Sequence, residues 1–209
     1  MIEEVLKKLS WLGHDGFLYQ GSKTIYFDPF QIAGGPAADI ILVSHEHFDH
    51  CSPDDIKKIQ TENTVIVTEG DSAKKVSGKV EILKPGESRT IQGISIEAVP
   101  SYNTNKDFHV KAKGWLGFIV TLEGVRVYHP GDADFIPEMN SIKTDIAFLP
   151  VSGTYVMTAA EAAEAAKALK PKIAIPMHYG AIVGSEDDAK VFAELLKGIV
   201  DVRILSKKS

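Results

Sequence analysis

The stretch LVSHEHFDHCS, residues 42–52, places three histidines and two acids within six consecutive positions. The preceding run DIILVS is short, rich in β-branched residues and nearly free of polar side chains, which predicts a strand buried on both faces. The following segment SPDDIKKI predicts a helix, because Ser52 can serve as the N-cap and Pro53 occupies the first helical position. The histidine-rich segment therefore lies in a strand-to-helix loop, a common place for reactive groups.

The spacing of these side chains is typical of a site for two metal ions. In an extended segment His45 and His47 point the same way and can bind one ion, whereas Asp49 and His50 follow where the chain turns and can bind another. Histidines and acids also occur together on solvated turns without function. Groups packed this closely would repel one another when protonated, and a divalent cation in place of the protons removes that repulsion. The pattern HxHxDH therefore predicts a pair of ions.

The rest of the chain alternates predicted strands with a few helices. Hairpins are predicted to turn at residues 21–22, 92–93 and 123–124, each between two strand-like runs. Thr158 and Glu161 form a capping box at the start of an alanine-rich segment. The pattern predicts an α+β protein in which two sheets pack face to face and helices cover the outer faces.

Two further motifs carry a family resemblance. VYHPGDADFIPEM, residues 127–139, and AIPMHYG, residues 174–180, follow HxHxDH in the order seen in the metallo-β-lactamase superfamily, which this sequence resembles. This chain also has WLGH at residues 11–14, DPF at 28–30 and GD at 131–132. Small members of the superfamily with these motifs in the same positions, the ascorbate-6-phosphate lactonase-like hydrolases, look most similar. The resemblance implies a four-layer αββα sandwich that spans residues 1–209 as a single domain.

Coordination chemistry and the resemblance together imply a ligand set. One ion would be bound by His45, His47 and a third ligand; Asp49, His50 and His178 would bind the other, and Asp132 would bridge them. The superfamily takes the missing ligand from a loop between HxHxDH and the Gly-Asp motif, where His109 is the only histidine. Tyr102 or Asn103 in the same loop are alternatives. The predicted catalytic residues are Asp49 and Asp132.

Other polar residues are expected to support the ligands or contact substrate. This group comprises His14, Asp28, Asn103, Lys106, His129 and Tyr179. His129 precedes the Gly-Asp motif and is expected to support Asp132, or simply to cap a buried strand. A lone histidine such as His14, or an Asp-Pro turn such as the one at Asp28, is more often structural than functional.

Composition limits the classes of protein that remain. A chain of 209 residues with 44% hydrophobic residues can bury one substantial core. The N-terminal segment lacks the features of a secretory signal and no apolar run is long enough to span a bilayer, so a cytoplasmic protein without a membrane segment is expected. The net charge of −5 and the absence of a basic stripe do not favour nucleic acid as a partner. A small-molecule substrate is expected, and the oligomeric state is not predicted.

The only cysteine, Cys51, excludes a disulfide within the chain. Its place beside His50 allows metal binding, but a small buried residue beneath the loop is the favoured interpretation.

The expected activity is hydrolysis. Two divalent ions, with zinc favoured and manganese or iron allowed, would hold a hydroxide that attacks a carbonyl or phosphoryl centre of a lactone, ester, thioester or phosphodiester. One alternative is a diiron redox protein of the same fold, although such relatives typically carry glutamate where this chain has His47 and need a flavin domain. Another is a metal-binding protein without turnover, suggested by Ala133 where relatives usually have threonine.

Overall fold

The computed structural model describes residues 1–208, which contain two mixed β-sheets. The first sheet holds six strands in chain order: β1 Leu9–Gly13, β2 Gly16–Gln20, β3 Thr24–Phe27, β4 Ile40–Leu42, β5 Val65–Thr68 and β6 Lys79–Ile82. The second holds seven: β7 Ser88–Ile91, β8 Ile94–Pro100, β9 Leu116–Leu122, β10 Val125–His129, β11 Ile146–Pro150, β12 Ile173–Met177 and β13 Asp201–Val202. Each sheet begins antiparallel and continues parallel, from β3 and from β10 respectively.

Four helices connect parallel strands, and a fifth, α1, precedes β1. The helices are α1 Ile2–Lys7, α2 Pro53–Ile59, α3 Gly70–Ala73, α4 Ala159–Leu169 and α5 Glu186–Leu195, with 3₁₀ turns at Lys111–Lys113 and Pro137–Ser141. The predicted caps are confirmed: the Ser52 side chain accepts from the backbone N–H of Asp55, and Thr158 and Glu161 form a reciprocal capping box. Helix α1 was not predicted.

The four layers follow from which way the strand residues point. Successive side chains alternate across a strand, so Ile40 lies in the core between the two sheets while Ile41 joins a second cluster with Ile56 of α2. Phe17 of the first sheet stacks on Phe148 of the second, with ring centroids 3.9 Å apart. Strand β11 is buried along its whole length because α4 covers its other face. The predicted α+β sandwich is confirmed.

The predicted hairpins are also confirmed. Strands β2 and β3, β7 and β8, and β9 and β10 pair antiparallel around the expected turns. Gln92 and Gly93 have φ of 49° and 85°, and Glu123 and Gly124 have φ of 51° and 81°, as the tight turn that matches strand twist requires. Within the described chain, no helix has the length and apolar character needed to cross a membrane.

Candidate metal centre

Three histidines form the first group of converging side chains. His47 Nδ1 lies 3.1 Å from His45 Nε2 and 3.3 Å from His109 Nε2. His45 and His47 come from the loop after β4, while His109 comes from the segment between β8 and β9, 62 residues from His47 in sequence. The structure therefore brings together the three residues predicted for one ion.

The alternatives for the third position lie further out. The side chain of Asn103 contacts the far side of the His109 ring, with Nδ2 3.1 Å from His109 Nδ1. The Tyr102 hydroxyl donates to Glu138 instead. Only His109 of these three belongs to the group with His45 and His47.

The second group contains the predicted trio, Asp49, His50 and His178, and one further residue, His14. His14 was predicted only to support the ligands. Its Nε2 atom lies 3.0 Å from Asp49 Oδ2, and its ring centroid lies 4.2 Å from that of His178. The same Asp49 oxygen is 3.7 Å from His50 Nε2. His14 is thus placed to orient Asp49 or to act as a further ligand.

Asp132 lies between the two groups. Its Oδ2 atom is 3.3 Å from His109 Nε2 and 3.3 Å from His178 Nε2, and its Oδ1 atom is 3.2 Å from His50 Nε2. One carboxylate thus contacts a histidine of the first group and two of the second. This is the placement expected of a bridging ligand.

Hydrogen bonds on the outer side of the rings fix which nitrogen carries the proton. His50 Nδ1 donates to Asp28 Oδ2 at 2.8 Å. The Ser44 hydroxyl donates to the same oxygen at 2.6 Å and therefore accepts from His45 Nδ1 at 2.9 Å. His50 and His45 consequently present the lone pairs of Nε2 to the centre. A single carboxylate, Asp28, orients one histidine in each group.

Two further rings, those of His109 and His178, also have partners on the outer side. His109 Nδ1 lies 3.1 Å from the carbonyl oxygen of Tyr155, which accepts, and 3.1 Å from the amide nitrogen of Asn103, which donates. Ser152 donates to the carbonyl of Thr154 and so accepts from His178 Nδ1 at 2.9 Å. The Ser152 contact therefore selects the His178 tautomer with the proton on Nδ1, and Nε2 of each ring faces Asp132.

The charges at the centre favour a cation. Burial alone would raise the pKa of Asp132, but the neighbouring His178 and His50 hold it well below its usual range. Burial alone would lower the pKa of His50, but Asp132 and Asp28 raise it well above its usual range. Burial and the nearby His50 lower the pKa of His45. The carboxylates that raise the pKa of His50 would equally favour a divalent cation beside it.

Unpartnered atoms test whether the residues fit such an ion. His50 Nε2 and Asp132 Oδ1 are buried and, among the described residues, have no hydrogen-bond partner, although they lie 3.2 Å apart. A buried polar atom without a partner is costly in a folded protein. Their lone pairs face a common space, so a cation placed there would satisfy both atoms. The donor set of imidazole nitrogens and carboxylate oxygens fits zinc, manganese or iron.

Backbone strain is concentrated around the same residues. Nine non-glycine residues of the described chain have positive φ, and five of them surround the centre: His14, Asp28, His109, Tyr155 and His178. The left-handed region is unfavourable for most side chains and is adopted more often by asparagine, aspartate and histidine, so the strain is greatest at Tyr155, with φ of 69°. Strain of this kind persists only where surrounding structure enforces it, and it is common at functional sites.

His129 lies behind the Gly-Asp turn and is fully buried. Its Nε2 atom donates to the carbonyl of Asp15 at 2.9 Å, and its Nδ1 atom accepts from the backbone N–H of Gly131 at 3.1 Å. It thereby fixes the residue before Asp132 without reaching the cluster itself, in keeping with its predicted supporting place.

Two residues predicted to contact substrate point elsewhere. Tyr179 is buried and stacks on Trp11, with ring centroids 4.8 Å apart; the preceding His178 lies past the end of β12, at φ 59°, and faces the centre. Lys106 is paired with Asp134. Neither side chain lines the cavity at the candidate centre.

Sequence reasoning missed two residues that border the centre. Asp15 is fully buried and forms a group with His50, Asp132 and His178; burial and Asp132 raise its pKa well above the usual range. The ring of Trp115 packs against three histidines, at 4.6 Å from His45, 4.8 Å from His47 and 5.4 Å from His109. Asp15 could have been found from its place beside His14 at a strand end. The sequence around Trp115 contains no spacing that singles out that residue.

The fold and the converging histidines and aspartates define a protein of the metallo-β-lactamase fold. The chain belongs to the β-lactamase superfamily, because residues 8–178 match the model of the Beta-lactamase superfamily domain. A UPF0173 metal-dependent hydrolase of Thermococcus kodakarensis is 35% identical, covering 95% of this chain and 96% of the relative. One from Archaeoglobus fulgidus is 34% identical, covering 96% of each chain.

A solved structure is similar over the same length. The crystal structure of a protein from Parabacteroides distasonis, described as a candidate metal-dependent hydrolase, has a TM-score of 0.84 and 37% identity, covering 95% of this chain and 93% of that one. These relatives support the predicted superfamily. The narrower resemblance to ascorbate-6-phosphate lactonase-like proteins stays a prediction.

Proposed function

We propose that the protein is a metal-dependent hydrolase with a centre for two divalent ions, zinc in the first instance. The observation that carries the proposal is the position of Asp132, whose two oxygens contact histidines of both groups. His45, His47 and His109 would hold one ion; Asp49, His50 and His178 would hold the other. When bound, two such ions supply an activated water molecule and polarise the bond that is cleaved.

The protein's own residues have separate tasks in this proposal. Asp28 and Ser44 keep the histidine rings in the tautomer that presents Nε2. Asp49 lies on the cavity wall, hydrogen-bonded to His14, where it can accept a proton from water and pass it to a leaving group. Asp132 supplies negative charge to both positions.

Metal analysis tests the two-ion centre. Protein stripped with chelator and reconstituted with excess zinc should contain about two ions per chain, as the two ligand groups predict. His47→Ala should lower this value towards one. A stoichiometry that never exceeds one in the unsubstituted protein would reject the dinuclear proposal. A two-ion protein that hydrolyses none of a panel of lactones, esters, thioesters and phosphodiesters would reject the proposed reaction.

A further inference from the structure

The cavity beside the candidate centre has apolar walls. It encloses about 320 Å³, at the small end of the range for ligand sites. The candidate ligands form its floor, and the other lining residues, apart from His14, are Phe48, Phe108, Tyr155, Ile182 and Val183. Four of these are exposed for more than a third of their surface: Phe48 69%, Phe108 52%, Ile182 42% and Tyr155 41%.

These apolar side chains come from four separate loops. Phe48 lies in the loop after β4, Phe108 between β8 and β9, Tyr155 after β11 and Ile182 after β12. Phe108 packs edge-on against Tyr155, with ring centroids 4.8 Å apart. Exposed apolar groups gathered at one cavity mouth are characteristic of a binding site for apolar molecules.

The same mouth offers no positive side chain. Among the described residues, the cavity lining contains neither lysine nor arginine. Three lysines of the neighbouring segment, residues 103–114, are each paired with an acid: Lys106 with Asp134, Lys111 with Glu138 and Lys113 with Glu46. Proteins normally bind phosphate groups and carboxylates with arginine or lysine. A charged substrate tail would therefore lose its hydration here without gaining a protein partner.

We propose that the substrate is an uncharged carboxylic ester, thioester or lactone whose apolar acyl chain lies against Phe48, Phe108 and Ile182. This inference rests on the proposed hydrolase function and narrows its substrate class. In the reaction, water adds to the carbonyl carbon and the bond from that carbon to the leaving oxygen or sulfur breaks. The leaving oxygen or sulfur takes a proton, so an ester or thioester gives a carboxylic acid and an alcohol or thiol, and a lactone opens to a single hydroxy acid.

Activity measurements compare substrates that differ only in the tail. With chromogenic aryl esters from acetyl to octanoyl, kcat/KM should rise about two- to fourfold per methylene until the cavity is filled, as burial of apolar surface predicts. Aryl hemiesters of dicarboxylic acids with the same chain length should be poorer substrates. Faster cleavage of the hemiesters, or of an aryl phosphodiester, would overturn the proposed substrate class while leaving the hydrolase function intact.

A charge placed in the wall provides a matched pair of variants. Ile182→Lys should lower the ratio of kcat/KM for octanoyl ester over hemiester by about tenfold, because the lysine attracts the carboxylate and interrupts the apolar wall. Val191→Lys is the control: Val191 is 51% exposed on α5 and does not line the cavity. Equal changes in the two variants, or no change in Ile182→Lys, would contradict the proposal.

Binding gives a readout that does not depend on turnover. Calorimetric titration with N-methyl alkanamides, butanoyl to octanoyl, should show affinity that increases with acyl chain length and a negative heat-capacity change. N-methyl alkanamides whose acyl chain ends in a carboxylate should bind more weakly, except to Ile182→Lys. If no ester is hydrolysed and the alkyl series still binds in this order, only the proposed reaction fails. An affinity that does not change with chain length would overturn the proposal of an apolar substrate.

Discussion

Oδ2 of Asp28 lies 2.8 Å from His50 Nδ1 and accepts the hydroxyl of Ser44 at 2.6 Å. Through these two contacts, one buried carboxylate orients a histidine in each of the two proposed metal sites. Supporting groups of this kind typically change metal affinity by about 10- to 100-fold. Both sites should therefore respond to a change at Asp28.

Asp28→Asn tests this coupling with little backbone disturbance, because asparagine tolerates the left-handed conformation that Asp28 adopts at φ 37°. We expect zinc affinity to fall by about 10- to 100-fold at both sites in competition with a chromophoric chelator. Asp39→Asn is a suitable control, since Asp39 accepts the Thr24 backbone N–H and lies outside the metal groups. Loss at one site alone would show that Asp28 supports only that site.

A second prediction separates a ligand from its support. His47→Ala should remove one bound zinc per chain, because His47 Nδ1 is within 3.3 Å of both other nitrogens of its group. His129→Ala should reduce the free energy of unfolding, because it leaves a cavity beside Phe27 and removes two hydrogen bonds, yet it should still bind two ions. Elemental analysis and denaturant titration of both variants measure the difference. Equal metal loss would show that His129 is more than a support.

The strand-loop-helix around HxHxDH could be predicted because its signals are local. Alternation of apolar residues, a capping serine and a proline define the loop within about a dozen residues. The link between Asp28 and Ser44 could not be predicted in this way. It depends on the parallel pairing of β3 with β4, in which Phe27 lies opposite Leu42, so that Asp28 comes within hydrogen-bond distance of Ser44, two residues after Leu42. Register between strands is a property of the folded sheet.

His14 illustrates the same limit, since its place in the second group depends on a long-range contact. The backbone N–H of His178 donates to the carbonyl of His14 at 3.1 Å, across 164 positions of sequence. Tyr179, expected to support the ligands or contact substrate, shows the same limit. His178 lies past the end of β12 at φ 59°, and the folded chain places Tyr179 against Trp11 instead.

A third prediction concerns Cys51. Its thiol is 2% exposed, lies in the cluster beneath α2 and belongs to none of the groups that can hold metal. Burial raises the pKa of Cys51 to about 11, so the reactive thiolate is scarce at neutral pH. Alkylation of the native protein should therefore be slow and should become rapid in denaturant. Cys51→Ala should retain two zinc ions. Loss of one ion would instead support the alternative that the Cys51 thiol binds metal.

The last prediction concerns the segment that carries His109, residues 103–109. Asp134 accepts the backbone N–H of Thr104 at 2.9 Å and pairs with Lys106. Asp134→Ala should therefore loosen the segment, increase tryptic cleavage after Lys106 in metal-free protein and selectively weaken the zinc site that contains His109, because binding must then order the loop. Zinc should restore protection.

Two comparisons complete this test. His109→Ala should abolish zinc protection of the segment while leaving the site of Asp49, His50 and His178 able to bind. Asp187→Ala removes an exposed ion pair with Lys190 on α5. Trypsin should therefore cleave this variant after Lys106 at the same rate as the unsubstituted protein. If zinc still protects the segment in His109→Ala, His109 does not bind the first ion. That ion would then rest on His45, His47 and Asp132, and we would expect it to be released readily to a chelator.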